Sequence, residues 1–230
     1  MFDFLENSAF FGVAISVVSY GIGMLLKKKF KLAILNPLLI SIVITIAFLA
    51  LTGISYEKYD EGAKYLNYLL TPATVCLAIP LYEQLELLKH NWRAVLLGIL
   101  SGVLSSLGVI LGMALMFGFS HEEYVTFLPK SITTAIGRGV SEKLGGYVSI
   151  SVAAIIITGV LGNIFAEIVF KLFRIHEPIA KGIALGTSSH AIGTAKAMEL
   201  GEVEGAMSSL SIVVAGLITV IGATIFSHIM

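Results

Sequence analysis

Four side chains in this 230-residue chain could do chemistry that its surroundings otherwise forbid: Lys130, Arg138, His190 and Lys196. All lie within or beside segments of membrane length, where an ionisable group is costly and by default marks a function. Each also has hydroxyls and backbone breakers close by. Lys130 and Arg138 fall in "LPKSITTAIGRGVSEKLGG", 128–146, with Ser131, Thr133 and Thr134. His190 and Lys196 fall in "GTSSHAIGTAKAMELGEVEGAMSS", 186–209, with Thr187, Ser188, Ser189 and Thr194. A third segment, "LNYLLTPATVCLAIPLY" at 66–82, has no charge but two prolines, with Thr71, Pro72 and Thr74 at its centre.

The chemistry these residues share is capture of a small anion. Thr71 suits an N-cap and Pro72 the first helical position, where its missing N–H costs nothing. Thr187, Ser188 or Ser189 has the same capping character, and Pro129 with the hydroxyls after it offers a third helix start. A helix that begins inside a membrane aims free N–H groups and a positive dipole end into its cavity, which favours an anion. Packing is the competing explanation for any one of these residues, since small and hydroxyl side chains also let membrane helices approach closely. It is the set of three such segments that points to a cavity. Arg138, between two glycines, offers a bidentate fork for a carboxylate. His190 can titrate near neutrality and couple movement to protons, or be satisfied by neighbouring hydroxyls. Lys196 can line the site or extend to the interface. Glu167 has an i,i+4 partner in Lys171, and Glu199, Glu202 and Glu204 read as a solvated turn.

The positioning elements follow from hydropathy. The chain is 57% hydrophobic and 13% charged, with a mean hydropathy of +0.93, whereas a soluble domain carries about 25% charged residues. Charge-free runs at Asn7–Leu26, Leu32–Thr52, Ala94–Phe119, Leu144–Ala166 and Gly205–Ser227 reach the ~20 residues that cross a bilayer. A polytopic α-helical membrane protein results. The basic stretches "KKKFK" (27–31) and "KLFRIHEPIAK" (171–181) belong on the cytoplasmic side, which puts the amino terminus outside. That terminus lacks the positive region of a cleavable signal, so its apolar run is read as a retained helix.

Sliding the chain by 114 residues superposes a weak repeat, with span, span, interrupted segment and glycine-bearing span in each half. Three crossings per half invert the second half and keep both basic loops inside. The expected architecture is therefore all-α, with two inverted repeats, 1–118 and 119–230, in one membrane domain. Its discontinuous or re-entrant helices meet near the bilayer midplane. Zero net charge argues against a nucleic-acid partner. Enzyme motifs are missing: no H-E-x-x-H, G-x-S-x-G or P-loop. With Asp3 and Asp60 the only aspartates, an intramembrane aspartyl dyad is excluded. No metal or other cofactor is expected. Glycine-bearing faces at Gly98, Gly102 and Gly108 fit either internal packing or a dimer.

Three stretches carry a resemblance: "LLTPATVCLAIPLYEQ", the 128–146 segment, and "PIAKGIALGTSSHAIGTAKAMELGEVEGAMSSLSIVVAG" from Pro178. Together they resemble the LrgB/CidB family of antiholin-like membrane proteins over essentially the whole chain. The resemblance implies a multi-pass plasma-membrane protein with two competing descriptions. Bacterial members are described as modulators of murein hydrolase activity and cell lysis, acting with a holin-like LrgA/CidA-type partner. Other members look like carriers of small monocarboxylates of the pyruvate, glycolate or glycerate type. Arg138 departs from the small or apolar residue that the family pattern leads one to expect there. The combined expectation is an alternating-access carrier. Its anion would sit at the helix starts of Thr71-Pro72 and Thr187–His190, helped by Lys130 or Arg138.

Overall fold

In a computed structural model of the chain, residues 8, 10–30, 35–76 and 78–230 are described, with the side chains of Leu70 and Thr74 excepted. The expected position of the amino terminus and the Thr74 side chain therefore lie outside the described residues. Every regular element among those described is a helix. Phe11–Phe30, Leu85–Phe117, Val148–Leu172 and Glu202–Ser227 are each long and apolar enough to cross a membrane, as is Tyr56–Glu83 when its short consecutive helices are taken as one run. Packing separates the chain into two units, Met1–Cys76 and Leu77–Met230.

The first unit holds α1 (Phe11–Phe30), α2 (Pro37–Thr52), α3 (Tyr56–Asn67) and α4 (Leu70–Cys76). Local signals set its boundaries. Asn36 caps α2 by accepting from the amides of Leu38 and Leu39, Pro37 fills the first helical position, and Gly53 ends the helix at φ 72°. Ser55 caps α3. Gly12 has no room for a Cβ, because the backbone of Tyr59 and Ala63 lies against it, and Ser16 meets the Tyr59 hydroxyl at 2.8 Å. Thr71 and Pro72, expected to cap and start a helix, instead lie inside the first turn of α4, and both are exposed. The difference of a residue is ordinary for helix ends.

The second unit holds α5 (Ala78–Glu83), α6 (Leu85–Phe117), α7 (His121–Phe127), α8 (Thr134–Leu144), α9 (Val148–Leu172), α10 (Pro178–Leu200) and α11 (Glu202–Ser227). A stripe on α6 supplies much of its core: Val95, Ile99, Val103, Leu107, Ile110 and Ala114 at three- and four-residue spacing. These residues join Tyr124, Leu128, Ile132, Met207, Ala215 and Ala223 in one cluster.

α10 is broken. His190 has φ 43° and ψ −134° in the middle of it, close to the first central residue of a type II′ turn and rare for any residue but glycine. The chain reverses there. A Cβ on Gly193 would come within 2.5 Å of the carbonyl oxygen of Leu185, eight residues earlier, whereas eight residues of straight helix span about 12 Å. The outgoing arm, 178–189, runs parallel to α11, with Gly182 on Glu204 and Gly186 on Ser208. The return arm, 191–200, runs antiparallel to α11: Thr194 bonds Ser208 at 2.7 Å and Met198 packs on Gly205.

A second reversal lies between α7 and α8. The carbonyl of Pro129 lies against Gly137, and Gly146 has returned to the backbone of Thr126. The Tyr147 amide donates to Thr126 Oγ1 at 2.8 Å and Ser151 Oγ to the Thr126 carbonyl at 2.6 Å. α6 runs parallel to the outgoing arm of α10, through Gly98 on Ile183 and Gly102 on Thr187. A repeat of 114 residues with three crossings per half would set these two helices antiparallel. In the structure, the basic residues before α10 share an end with Lys89 and Arg93 of α6, and this common end gives the pair one direction.

Backbone, which cannot move aside as a flexible side chain can, blocks Gly193. Gly193→Ala is expected to destabilise the protein by about 1–3 kcal/mol. Gly112→Ala has open space at its Cβ and should be neutral or stabilising by up to about 1 kcal/mol. Thermal unfolding of both variants in detergent checks the contrast.

Candidate functional site

The second unit has an open cavity of about 900 Å³ between α6, α9 and the outgoing arm of α10, within the usual range for small-molecule sites. Two of its walls come from the reversals. From the α7–α8 turn come Lys130 and Ser131, and from the α10 break come Thr187, Ser188 and Ser189. α6 contributes Asn91, Gly98, Ser101, Gly102, Ser105 and Ser106, and α9 contributes Thr158 and Gly162. Glu177 lies at the end where α10 begins.

Local chemistry explains each placement. Ser188 Oγ donates to the Ala184 carbonyl at 2.7 Å and meets Ser189 Oγ at 3.0 Å. Thr187 Oγ1 donates to the Ile183 carbonyl at 2.8 Å. These back-bonds to the preceding turn satisfy the hydroxyl protons without a ligand while leaving oxygen lone pairs in the cavity. Ser189 Oγ occupies the space a Cβ at Gly162 would fill, and the His190 ring lies over Gly159. His190 Nε2 donates to the Ile155 carbonyl at 3.0 Å and Asn163 Nδ2 to the Ile192 carbonyl at 3.0 Å. The break is thus seated on a notch of glycines and an amide halfway along α9.

Lys130 is the cation of the cavity wall. Its Nζ donates to Ser131 Oγ at 3.1 Å and Ser106 Oγ at 3.4 Å, and the two hydroxyls meet at 3.1 Å. No ion pair among the described residues involves it. A partly buried ammonium answered only by neutral hydroxyls leaves a local positive field at its own end of the cavity, the Glu177 carboxylate lying at the end where α10 begins. The Lys130 end can therefore hold an anion by charge-assisted hydrogen bonds.

Of the positions expected from sequence, Lys130, Ser131, Thr187, Ser188 and Ser189 come together. Thr133 precedes α8 and Thr134 opens it, neither lining the cavity. Arg138 is exposed on α8, outside the cavity, so its fork does not reach the site. His190 is buried but points to α9, bonded to a carbonyl rather than to neighbouring hydroxyls. Thr194 is spent between the His190 carbonyl and Ser208. Lys196 neither lines the cavity nor reaches an interface: its side chain is 10% exposed and pairs with Glu167 at 2.6 Å and Glu199 at 3.3 Å. Glu167 pairs with Lys196, a partner 29 residues away that sequence spacing did not offer. Glu204 is buried rather than part of a solvated turn. Thr71 and Pro72 belong to the other packing unit.

The serines of α6 were not anticipated. The signal was there: Gly98, Ser101, Gly102 and Ser105 recur at helical spacing in an otherwise apolar span, which places a small, partly polar stripe on one face.

The LrgB-like family model matches residues 16–229. The chain belongs to the LrgB family. It is 38% identical over 218 residues to "Antiholin-like protein LrgB" of Bacillus mycoides (strain KBAB4), covering 94% of this chain and 95% of the relative. The proteins of the same name from Bacillus cereus (strain B4264) and Bacillus anthracis (strain CDC 684 / NRRL 3495) match with the same identity and coverage. No solved structure matches. Family and apolar helices together make this a membrane protein of the LrgB family.

Glu167→Gln should cost on the order of 1 kcal/mol, since both carboxylates are half exposed and Glu199 still faces Lys196. The double change Glu167→Gln with Glu199→Gln should cost more than the sum of the two single changes, because it leaves a mostly buried ammonium alone. A double-mutant cycle on melting temperature measures the coupling.

Proposed function

We propose that the chain is an antiholin-like protein of the plasma membrane. In this reading it restrains murein hydrolase activity and lysis together with a small holin-like LrgA/CidA-type membrane protein. The observation that carries the proposal is its near full-length identity to proteins named antiholin-like. Association with such a partner, and self-association into a dimer, would use the lipid-facing helix surfaces. In a host lacking its own copy, restoring the gene should slow detergent-induced autolysis. Co-purification with the holin-like protein should be lost when the two are expressed separately.

A second reading is favoured by the cavity: the chain carries a small monocarboxylate. Lys130, flanked by Ser106 and Ser131 and facing Ser188 and Ser189, gives a single positive charge and several hydroxyls to a space large enough for a short hydroxy- or keto-acid. The site proposed here keeps Lys130, Ser131 and Thr187–Ser189 from the earlier expectation and adds Ser105 and Ser106. Movement of broken helices against unbroken ones would expose it alternately. The two readings are compatible if anion flux is how lysis is modulated. Purified protein in liposomes should then take up labelled pyruvate or glycolate with saturation. Lys130→Met should lower uptake at least about tenfold through loss of a charge-assisted contact, with expression and elution profile unchanged. Absence of saturable uptake of either acid leaves the antiholin reading alone.

A further inference from the structure

The two chain reversals are copies of one another. A shift of 56 residues carries Ala135-Ile136-Gly137 onto Ala191-Ile192-Gly193 and Leu144-Gly145 onto Leu200-Gly201. The likeness is geometric as well. Gly137 packs on the carbonyl of Pro129, and Gly193 on that of Leu185, each eight residues back. Burial agrees over part of the register: Gly137 with Gly193, Val140 with Lys196 and Ser141 with Ala197 are buried pairs, and Glu142 and Met198 are exposed. Elsewhere it differs, since Arg138 is exposed where Thr194 is buried and Ile132 is buried where Ser188 is exposed. Ser131 falls on Thr187 and Thr133 on Ser189, so the positions before the return arm carry hydroxyls in both copies.

Each copy is followed by a long apolar helix, α9 or α11, and α9 fixes their relation. Its 25 residues span about 37 Å, more than the hydrocarbon core. The first hairpin ends where α9 begins, and the second leaves just after α9 ends. Their bases are therefore a membrane apart. Contacts at the periphery agree. His121, at the base of the first hairpin, bonds the carbonyl of Met230 just beyond the far end of α11 at 2.6 Å, whereas the base of the second hairpin lies beside the start of α6. The second tip rests on Ile155–Asn163, about 10–22 Å along α9, close to mid-depth.

We propose that α7–α8 and α10 are inverted re-entrant hairpins entering from opposite faces, whose tips, Lys130–Ser131 and Thr187–Ser189, are the two jaws of one small-anion site. The proposal rests on the carrier reading for its ligand and not for its topology. Non-helical backbone at this depth is tolerated only inside protein or beside a watery cavity, and both breaks border such a cavity. The two jaws differ in charge. The first brings the ammonium and the second neutral hydroxyls, so the pair suits a singly charged anion that also carries a neutral polar group. In this conformation the space between the jaws extends along α6 and the outgoing arm of α10 to Asn91 and Glu177. That end carries Lys89, Arg93, Arg174 and Lys181. It is the cytoplasmic end by the positive-inside rule. The other end is filled by Leu107, Ile110, Tyr124 and Leu128, each 4% exposed or less.

The test is sided cysteine labelling of the full chain in membrane vesicles, in a Cys76→Ser background. Single cysteines replace Glu122 and Lys143 at the two ends of the first hairpin, and His176 and Glu202 at the two ends of the second. A membrane-impermeant thiol reagent should label the first pair only in right-side-out vesicles and the second pair only in inside-out vesicles. Glu177→Cys substitutes if His176→Cys is poorly inserted. Labelling of the two members of a pair from different faces, or of all four from one face, overturns the inverted hairpins. For the jaws, Ser105→Cys should react from the cytoplasmic face about tenfold faster with a sulfonate-bearing than with an ammonium-bearing thiosulfonate, given the Lys130 ammonium bonded to the neighbouring Ser106. Lys130→Gln should remove that preference. Equal rates, or a preference that survives Lys130→Gln, overturns the anion site while leaving the topology result standing. Neither arm depends on uptake, so failure of the carrier reading is read separately from failure of the hairpins.

Discussion

The cost of an unpaired backbone amide away from water governs this molecule. In lipid each unsatisfied N–H or carbonyl costs several kcal/mol, so a chain that interrupts a helix there must supply substitutes from within the protein. Around the break at His190 the side chains of the second unit are themselves paired. The ring nitrogen goes to the Ile155 carbonyl and the Asn163 amide takes that of Ile192. The hydroxyls of Thr187 and Ser188 turn back onto the helix that carries them. Among the described residues no buried side-chain nitrogen or oxygen is left without a partner. The break is therefore built into the fold, and the histidine at positive φ is seated on α9 by its ring against Gly159 and its bond to the Ile155 carbonyl.

Glycine makes this possible through close approach rather than flexibility. Gly159 and Gly162 let the hairpin tip sink against α9, and Gly182 and Gly186 let its outgoing arm lie against the backbone of α11. Each of these positions is closed to a methyl group. The same residue type at Gly108 and Gly112 faces open space, so a glycine in the sequence does not by itself distinguish a packed crossing from a bare surface.

That ambiguity marks the limit of what the sequence disclosed. The helical class, the membrane length of the spans, the family and the interruption near His190 were all legible, because they rest on composition and on local backbone chemistry. So were five of the cavity residues, since three interrupted segments with hydroxyls in one oily chain point to a cavity even though packing explains any one of them. The partners of those groups were not legible. Nothing near Lys196 in sequence announces Glu167, 29 residues earlier. Arg138 stood between glycines as a plausible fork, yet helical phase turns it outward on α8. The α6 serines were hidden by the high hydropathy of the span around them. The repeat was legible only in part: a 114-residue shift aligned scattered glycines, while the 56-residue one, with its Ala-Ile-Gly and Leu-Gly, needed the fold-back geometry to stand out.

The contrast between Lys130 and Lys196 carries the functional argument furthest. Both follow a helix break in segments of the same pattern, and both are drawn out of water. Lys196 is matched by two carboxylates at 2.6 and 3.3 Å, which neutralise it where it stands and fasten the return arm of α10 to α9. Lys130 has two hydroxyls at 3.1 and 3.4 Å, which can orient an ammonium but cannot cancel its charge. Removing a charge from water without a counter-ion is tolerated only if the surroundings remain partly hydrated or a mobile anion completes the pair. The cavity beside Lys130 fits the first condition, and in the site proposed above a bound anion would meet the second. A fixed carboxylate at the same place would give a tighter and more stable protein, but its charge would cancel the one a passing anion could use.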